Sequence, residues 1–272
     1  MVDIIIGDEH ARGKFRRIYD SVKDGIDIRY IICTGDYFDP YVEVSFEDRL
    51  KNFEDILTIA KTDQRVRLLF GNHDCHYLFE TGETSRADLQ NYFRLKDVLF
   101  DNRDQFRIAL QLDDEAVVSH AGISPNWVDQ YGFKGVDDIN FRFAEFLDFY
   151  GKNLRTVFDE MKHPDAEVTR FAFRFFFRDP SGWGDHFLQP PTWIRPSSLL
   201  AMHKTWMSKT QIVGHTRTDD PYMSDFIVEW PSDSEVGAVT TLHPAEDEEK
   251  SLILVDTGEF DNYLRREVKE TV

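Results

Sequence analysis

Cysteine is scarce in this chain. Of 272 residues only Cys33 and Cys75 carry thiols, and neither has a partner at metal-site spacing, which excludes a disulfide framework and a thiolate metal knuckle. Basic charge is also in deficit: 32 Lys and Arg face 50 Asp and Glu, a formal charge of −18. That balance opposes approach to a polyanion and predicts no extended nucleic-acid partner. No apolar run nears the ~20 residues of a membrane helix, since Arg170, Arg174 and Arg178 interrupt the phenylalanine-rich stretch around residue 175. Met1-Val2-Asp3 leads straight into an apolar segment with no basic region and no cleavage site, so no secretory leader is expected. Internal repeats, linkers and low-complexity tracts are missing too. Together these absences predict a cytoplasmic protein with reduced thiols and no membrane attachment.

The residues present suit a packed core. Hydrophobic residues make up 41% and aromatics 14%, with 23 Phe, which excludes disorder as the main state. The runs 3–6, 29–33 and 66–70 are short, aliphatic or β-branched, and end at glycine or Thr-Gly, as buried strands do. Between them Phe46, Leu50, Phe53, Ile56, Leu57 and Ala60 recur at three- and four-residue steps, which predicts a helix and an α/β beginning. In the second half, 107–112 and 116–119 flank an Asp-Asp-Glu turn, and 211–213, 239–242 and 252–255 are further strand candidates, so a mixed, partly antiparallel sheet follows. From 136 to 178 the pattern is helical, with Ile139, Phe143, Phe146, Leu147, Tyr150 and Leu154 on one face, and 11 phenylalanines fall between 141 and 187. A helical insert packed on the core, about 136–190, explains them better than a lipid site. The acidic, Pro- and Ser-rich stretch 216–250 reads as a solvated loop around one hairpin. The expected organisation is one domain over 1–272 with that insert inside it.

The strand ends carry unusual residues. Asp8 and His10 lie in Gly-Asp-Glu-His (7–10), Asp36 and Asp39 in Gly-Asp-Tyr-Phe-Asp (35–39), and Asn72, His73 and Asp74 in Gly-Asn-His-Asp (71–74). His120 follows Ala-Val-Val-Ser and His215 follows Gln-Ile-Val-Gly. Taken singly, each is a plain turn, a helix cap or a satisfied histidine. Jointly they are not, because a turn needs no imidazole and so many gathered carboxylates are costly without cations.

In order and type these blocks resemble the calcineurin-like metallophosphoesterases, most nearly the serine/threonine protein phosphatase and diadenosine tetraphosphatase branch. That branch carries Gly-Asp-x-His-Gly, Gly-Asp-x-x-Asp-Arg-Gly, Gly-Asn-His-Glu, His-Gly-Gly and a late Gly-His-Thr. The counterparts here are 7–11, 35–41, 71–74, 120–122 and 214–216. Ala11, Pro40-Tyr41, Asp74 and Ala121 depart from the pattern, and Pro40 removes the arginine that clamps phosphate in protein phosphatases. Pro191-Thr-Trp-Ile-Arg195 resembles a Trp-Ile-Arg segment of bacterial relatives, which makes Arg195 the expected replacement, with Arg217 and Arg12 as weaker candidates.

The resemblance implies an α/β fold of two mixed β-sheets stacked between helical layers, with ligands at the carboxyl ends of strands. It implies a dinuclear centre in which Asp8, His10 and Asp36 hold one ion, Asp36, Asn72, His120 and His215 hold the other, and Asp36 bridges. Two such ions, about 3.5–4 Å apart, share an activated hydroxide. Carboxylate, amide and imidazole ligands suit manganese first, then iron, zinc or nickel, ahead of magnesium or calcium. His73 is the expected general acid and Asp39 its orienting partner. Tyr37, Phe38, Tyr41 and Trp193 are candidates to line the site. The expected reaction is hydrolysis of a phosphate monoester from a small molecule, nucleotide or phosphoprotein. Cleavage of dinucleoside polyphosphates or nucleotide diesters is the alternative, and a non-catalytic metal-binding scaffold is the alternative outside enzymes.

Overall fold

A computed structural model describes residues 1–25, 27–79, 86–153, 186–201, 208–217, 227–229, 240–243, 251–256 and 263–268. The chain opens with β1 (Val2–Ile6), α1 (Lys14–Val22), β2 (Ile28–Cys33), α2 (Phe46–Thr62), β3 (Val66–Leu69) and α3 (Asn72–Phe79). The alternation predicted from the apolar runs is therefore present. α2 starts at Ser45, whose hydroxyl oxygen accepts the Asp48 backbone N–H at 3.1 Å, with Glu47 and Asp48 at the positive end of the helix dipole. There follow α4 (Tyr92–Asp101), β4 (Phe106–Arg107), β5 (Ala109–Gln111), β6 (Ala116–Ser119), α5 (Pro125–Tyr131), α6 (Val136–Asn153) and α7 (Pro196–Leu200). The chain continues through β7 (Thr210–Arg217), β8 (Ile227–Glu229), β9 (Thr240–His243), β10 (Ser251–Asp256) and β11 (Tyr263–Glu267).

Two mixed sheets result. One runs β11-β1-β2-β3-β4, parallel except for β11; the other runs β5-β6-β7-β10-β9-β8, with β6, β7 and β10 parallel. Strand alternation builds the layers. Ile5, Ile32 and Leu69 of the first sheet meet Val118, Ile212 and Val255 of the second in one buried cluster. Their neighbours Ile4, Ile6, Ile31, Cys33 and Leu68 point the other way, onto Phe15 and Ile18 of α1 and Phe53, Ile56 and Leu57 of α2. On the far side of the second sheet, Val213, Leu252 and Leu254 cluster with Leu199 and Leu200 of α7.

One sequence expectation changes in detail. The run 107–112 is not one strand: it breaks at Ile108 and passes between sheets. There the Asn140 side-chain oxygen accepts the Ile108 and Ala109 N–H groups at 3.0 and 3.3 Å, and its amide donates to the Ala109 carbonyl at 2.8 Å. Gly-Asn-His-Asp is not a free turn but opens α3. The helical stretch from 136 is observed as α6 to Asn153; the remainder of the expected insert, through residue 185, lies outside the described residues, as do Arg170, Arg174 and Arg178. In the stretch 216–250, β8 and β9 form the one hairpin expected.

Candidate metal centre

The carboxyl ends of the strands converge. Asp8 and His10 leave β1, Asp36 and Asp39 leave β2, Asn72 and His73 follow β3, His120 follows β6 and His215 stands in β7. Backbone geometry at these points is unusual: His10, Asp36, Asp39 and His215 have φ of 44°, 55°, 60° and 58°. Non-glycine residues adopt this left-handed conformation at a cost of about 1–3 kcal/mol each, and only where surroundings impose it. Here the chain must turn sharply so that side chains leaving different strands face one point.

Hydrogen bonds lock the turns. The Asp74 carboxylate accepts backbone N–H groups of Asp36, Tyr37 and Gly71, each at 2.9 Å, which ties the first turn of α3 to the loop after β2. The buried Glu9 accepts Phe15 N–H at 2.8 Å and the Asn52 amide at 3.0 Å, fixing the loop after β1 to α1 and α2. Asp8 accepts the Thr34 hydroxyl at 3.0 Å and the His215 backbone N–H at 2.9 Å, so the two sheets are joined at the site itself.

The ligand-type atoms meet in two groups that share Asp36. In the first, the ligand atoms of Asp8, His10 and Asp36 all lie within 4.8 Å of one another. In the second, His120 Nε2 stands 2.9 Å from Asn72 Oδ1 and 3.2 Å from His215 Nδ1, and His215 Nδ1 stands 3.0 Å from Asn72 Oδ1. Asp36 Oδ2 lies between the groups, 3.6 Å from His10 Nε2 and 3.7 Å from His120 Nε2.

Proton placement tests whether cations fit. His10 Nδ1 donates outward to the Phe38 and Asp39 carbonyls at 3.2 and 3.0 Å. His120 Nδ1 donates to the Thr34 carbonyl at 2.9 Å. Each ring thus keeps its proton on Nδ1 and turns a lone pair inward, as metal-binding imidazoles do. Burial pushes the His10 imidazole down to about 3, and burial with the nearby Arg195 charge pushes His215 well below its ordinary value. Neutral rings are the binding form. The lone pairs face carboxylates and an amide oxygen, an arrangement of acceptors against acceptors that only cations or added protons relieve. Burial and then the Asp8 charge push the Asp36 carboxyl well above its usual range, the expected sign of a carboxylate pair awaiting a positive partner.

Beside this centre, His73 Nδ1 bonds Asp39 Oδ2 at 2.8 Å. Asp39 also faces His76 Nε2 at 2.8 Å and accepts the Tyr77 hydroxyl. Burial raises the Asp39 carboxyl, but hydrogen bonds from His73 and His76 outweigh it and hold the group at about 2. Burial lowers His73, and Asp39 opposes that shift.

Of the arginines read from the sequence, Arg195 reaches the centre: its guanidinium donates to Thr216 Oγ1 at 3.3 Å, next to His215. Arg12 lies over the Tyr41 ring at 5.2 Å, near His10. Arg217 is exposed at the end of β7, opposite Asp256 of β10 in register. Tyr41 is half exposed and 4.7 Å from the His10 ring, and Trp193 is 5.8 Å from that of His215. Tyr37 and Phe38 do not line the site: both are fully buried against Phe53, because their apolar rings complete the core beneath the loop. Cys33 and Cys75 are unpaired and buried, fillers rather than reactive thiols, and burial raises both.

Sequence reasoning missed three neighbours. His76 and Tyr77 lie one helical turn beyond Asn72 and His73, and their i+3 and i+4 spacing signals that they face the same side. Arg86 carries no such signal. Its guanidinium donates to His73 Nε2 at 3.0 Å and to the Asp39 carbonyl at 3.3 Å.

Residues 4–165 match the family model of the calcineurin-like phosphoesterases. No curated protein sequence matches the chain. Among solved structures, a serine/threonine phosphatase from Saccharomyces cerevisiae, described as similar to human phosphatase PP5, aligns at 16% identity with a TM-score of 0.34, over 52% of this chain and 42% of that one. The chain thus spans less than half the length of that structure. No helix among the described residues is long and apolar enough to cross a membrane. With the family model covering more than half of its length and the strand-end blocks Asp8 to His120 inside the match, this chain belongs to the calcineurin-like phosphoesterase family.

Proposed function

We propose that the protein hydrolyses phosphate monoesters at a dinuclear centre. Asp8, His10 and Asp36 hold one divalent ion, Asp36, Asn72, His120 and His215 hold the other, and the Asp36 carboxylate is shared. The observation that carries this reading is the approach of Asn72 Oδ1, His120 Nε2 and His215 Nδ1 to within 2.9–3.2 Å of one another, with the His120 proton committed to a carbonyl on the opposite side. Manganese is the first choice for this donor set, with iron, zinc or nickel next. The bound pair supplies Lewis acidity toward phosphate oxygens and lowers the pKa of water toward neutrality.

The protein's own groups do the rest. His73, which is buried, gives a proton from Nε2 to the departing alkoxide oxygen, and Asp39 holds the opposite ring nitrogen at 2.8 Å. Asp39 thereby fixes the tautomer and supports the imidazolium that the reaction needs. The Asn72 amide and Arg195 lie beside the phosphate position and stabilise its oxygens as charge accumulates. The net charge of −18 disfavours long polyanions and supports a compact substrate: a phosphorylated small molecule, a nucleotide or a short phosphopeptide. Two buried, unpaired cysteines support a reducing, cytoplasmic setting.

The test compares 4-nitrophenyl phosphate with its bis-ester on manganese-loaded protein. The monoester is expected to be the better substrate by at least tenfold, and chelation to abolish turnover. Preference for the bis-ester or for dinucleoside polyphosphates would move the reading to diester or diphosphate cleavage. Bound metal with no hydrolysis of any ester would leave a scaffold.

A further inference from the structure

Pro40 and Tyr41 occupy the positions at which the resembled protein phosphatases carry Arg-Gly, so the loop after β2 provides no arginine for substrate. It provides an aromatic ring instead. The Arg86 guanidinium lies 3.7 Å from the centroid of the Tyr41 ring, the closest cation–ring approach among the described residues, while one of its nitrogens donates to the Asp39 carbonyl at 3.3 Å and another to His73 Nε2 at 3.0 Å. Tyr41 in turn stands 4.7 Å from the His10 ring. Arg86 is itself exposed, so the cation is held by stacking, one carbonyl and the His73 nitrogen while remaining open to solvent.

From this placement we infer that Arg86 is the substrate-phosphate clamp of this chain, standing in for the arginine that Pro40 displaces. Three points of geometry carry the assignment. A guanidinium has donors only, and a carbonyl, a ring face and a single imidazole nitrogen leave part of its planar fork unused, the part suited to two phosphate oxygens. Its partner on the centre side is Nε2 of His73, the atom that must face the leaving oxygen in the proposed reaction. A phosphate arriving there meets Arg86 first and draws it off the imidazole, which leaves the Nε2 lone pair free to take a proton from solvent and then give it to the leaving oxygen. Finally, Arg195 stands beside Thr216, next to His215, and Arg86 beside His73 and the Asp39 carbonyl, so the two cations approach the centre from different elements and both are available to a phosphate. The ligand class is a phosphate dianion, inorganic phosphate included. The inference deepens the monoester reading and relies on it for the position of the substrate.

Binding of inorganic phosphate to manganese-loaded protein, measured by calorimetry together with metal content, tests the clamp without requiring turnover. Arg86→Ala is expected to weaken phosphate binding by about tenfold to a hundredfold, the range for a lost charge-assisted bidentate contact, with metal content equal to that of the parent. Tyr41→Ala, which removes the platform and keeps the cation, is expected to weaken it in the same direction by a smaller factor, and Arg86→Lys to restore only part of the loss. Phosphate affinity within twofold of the parent in Arg86→Ala would overturn the assignment, as would a parent protein that binds manganese but no phosphate. Absence of ester hydrolysis with phosphate binding still dependent on Arg86 would count against the proposed function and not against the clamp.

Discussion

Asp39 sits where three groups meet: it bonds His73 Nδ1 at 2.8 Å, accepts the Tyr77 hydroxyl and lies 2.8 Å from His76 Nε2. A carboxyl held at about 2 stays ionised across the neutral range, so it does not itself titrate where the enzyme works. Its effect is on His73. Burial lowers the imidazole and the Asp39 charge raises it, so Asp39→Asn removes the raising influence and lowers the His73 pKa further. An acid must be protonated to act, and the alkaline limb of the pH–rate profile is therefore expected to move to lower pH in Asp39→Asn; an unmoved limb would contradict the pairing. His73→Gln is expected to lower turnover by about 10²–10⁴ while metal content, read by elemental analysis, stays that of the parent. Loss of metal in that variant would instead make His73 a ligand. The pairing of His73 with Asp39 was legible as an expectation from the 71–74 block and the second Asp of 35–39, and the contact between them is present; the roles of acid and orienting carboxylate are those proposed above. Arg86 was not legible, because the contact depends on a tertiary approach across 47 positions to Asp39 that no local spacing encodes.

Among the elements, the site depends on how tightly the loops after β1, β2 and β3 are fastened. Asp74 in the first turn of α3 accepts three backbone N–H groups, and two of them belong to the loop that carries Asp36. Replacing it with alanine leaves three buried donors unpaired, each worth about 1–3 kcal/mol. Asp74→Ala is expected to lose at least about 3 kcal/mol in chemical denaturation and to bind metal poorly; near-parental stability would show that the loop holds its shape by other means. Gly214 in β7 has a comparable role across the sheets, since an added Cβ would strike the Asp8 carboxylate and the Thr34 hydroxyl. Strands and helices of the first half were readable because each apolar run ends at a glycine that begins a functional loop. Less was readable later. β11 has Arg265, Arg266 and Glu267 among its five residues, and as an edge strand antiparallel to β1 it lacks the continuous apolar signature of a buried strand. Likewise the break at Ile108 depends on Asn140, 32 residues on, so the sequence around 107–112 reads as a single strand.

For the molecule as a whole, the centre is a seam between two sheets. Asp8 and Asp36 come from the first, His120 and His215 from the second, and buried carboxylates face imidazole nitrogens with no side-chain cation among the described residues at the middle. Metal binding is then linked to folding. At manganese a hundredfold above its dissociation constant the linkage amounts to about 2.7 kcal/mol, which for a chain of this size is a rise of roughly 5–10 °C in melting temperature. Differential scanning of chelated and manganese-loaded protein checks this, and equal melting temperatures would contradict it. Strand-end carboxylates and histidines made the centre visible before any coordinates, whereas its closure by two sheets became visible only in the fold.

The most direct test is metal stoichiometry after manganese loading and removal of free ions, for the parent chain and for Asp36→Asn. Because the Asp36 oxygen stands 3.6 and 3.7 Å from the two inward-facing imidazole nitrogens, two ions per parent chain are predicted, falling below one in the variant. A parent chain that retains no ion, or a single ion that survives loss of the Asp36 charge, would contradict a shared centre.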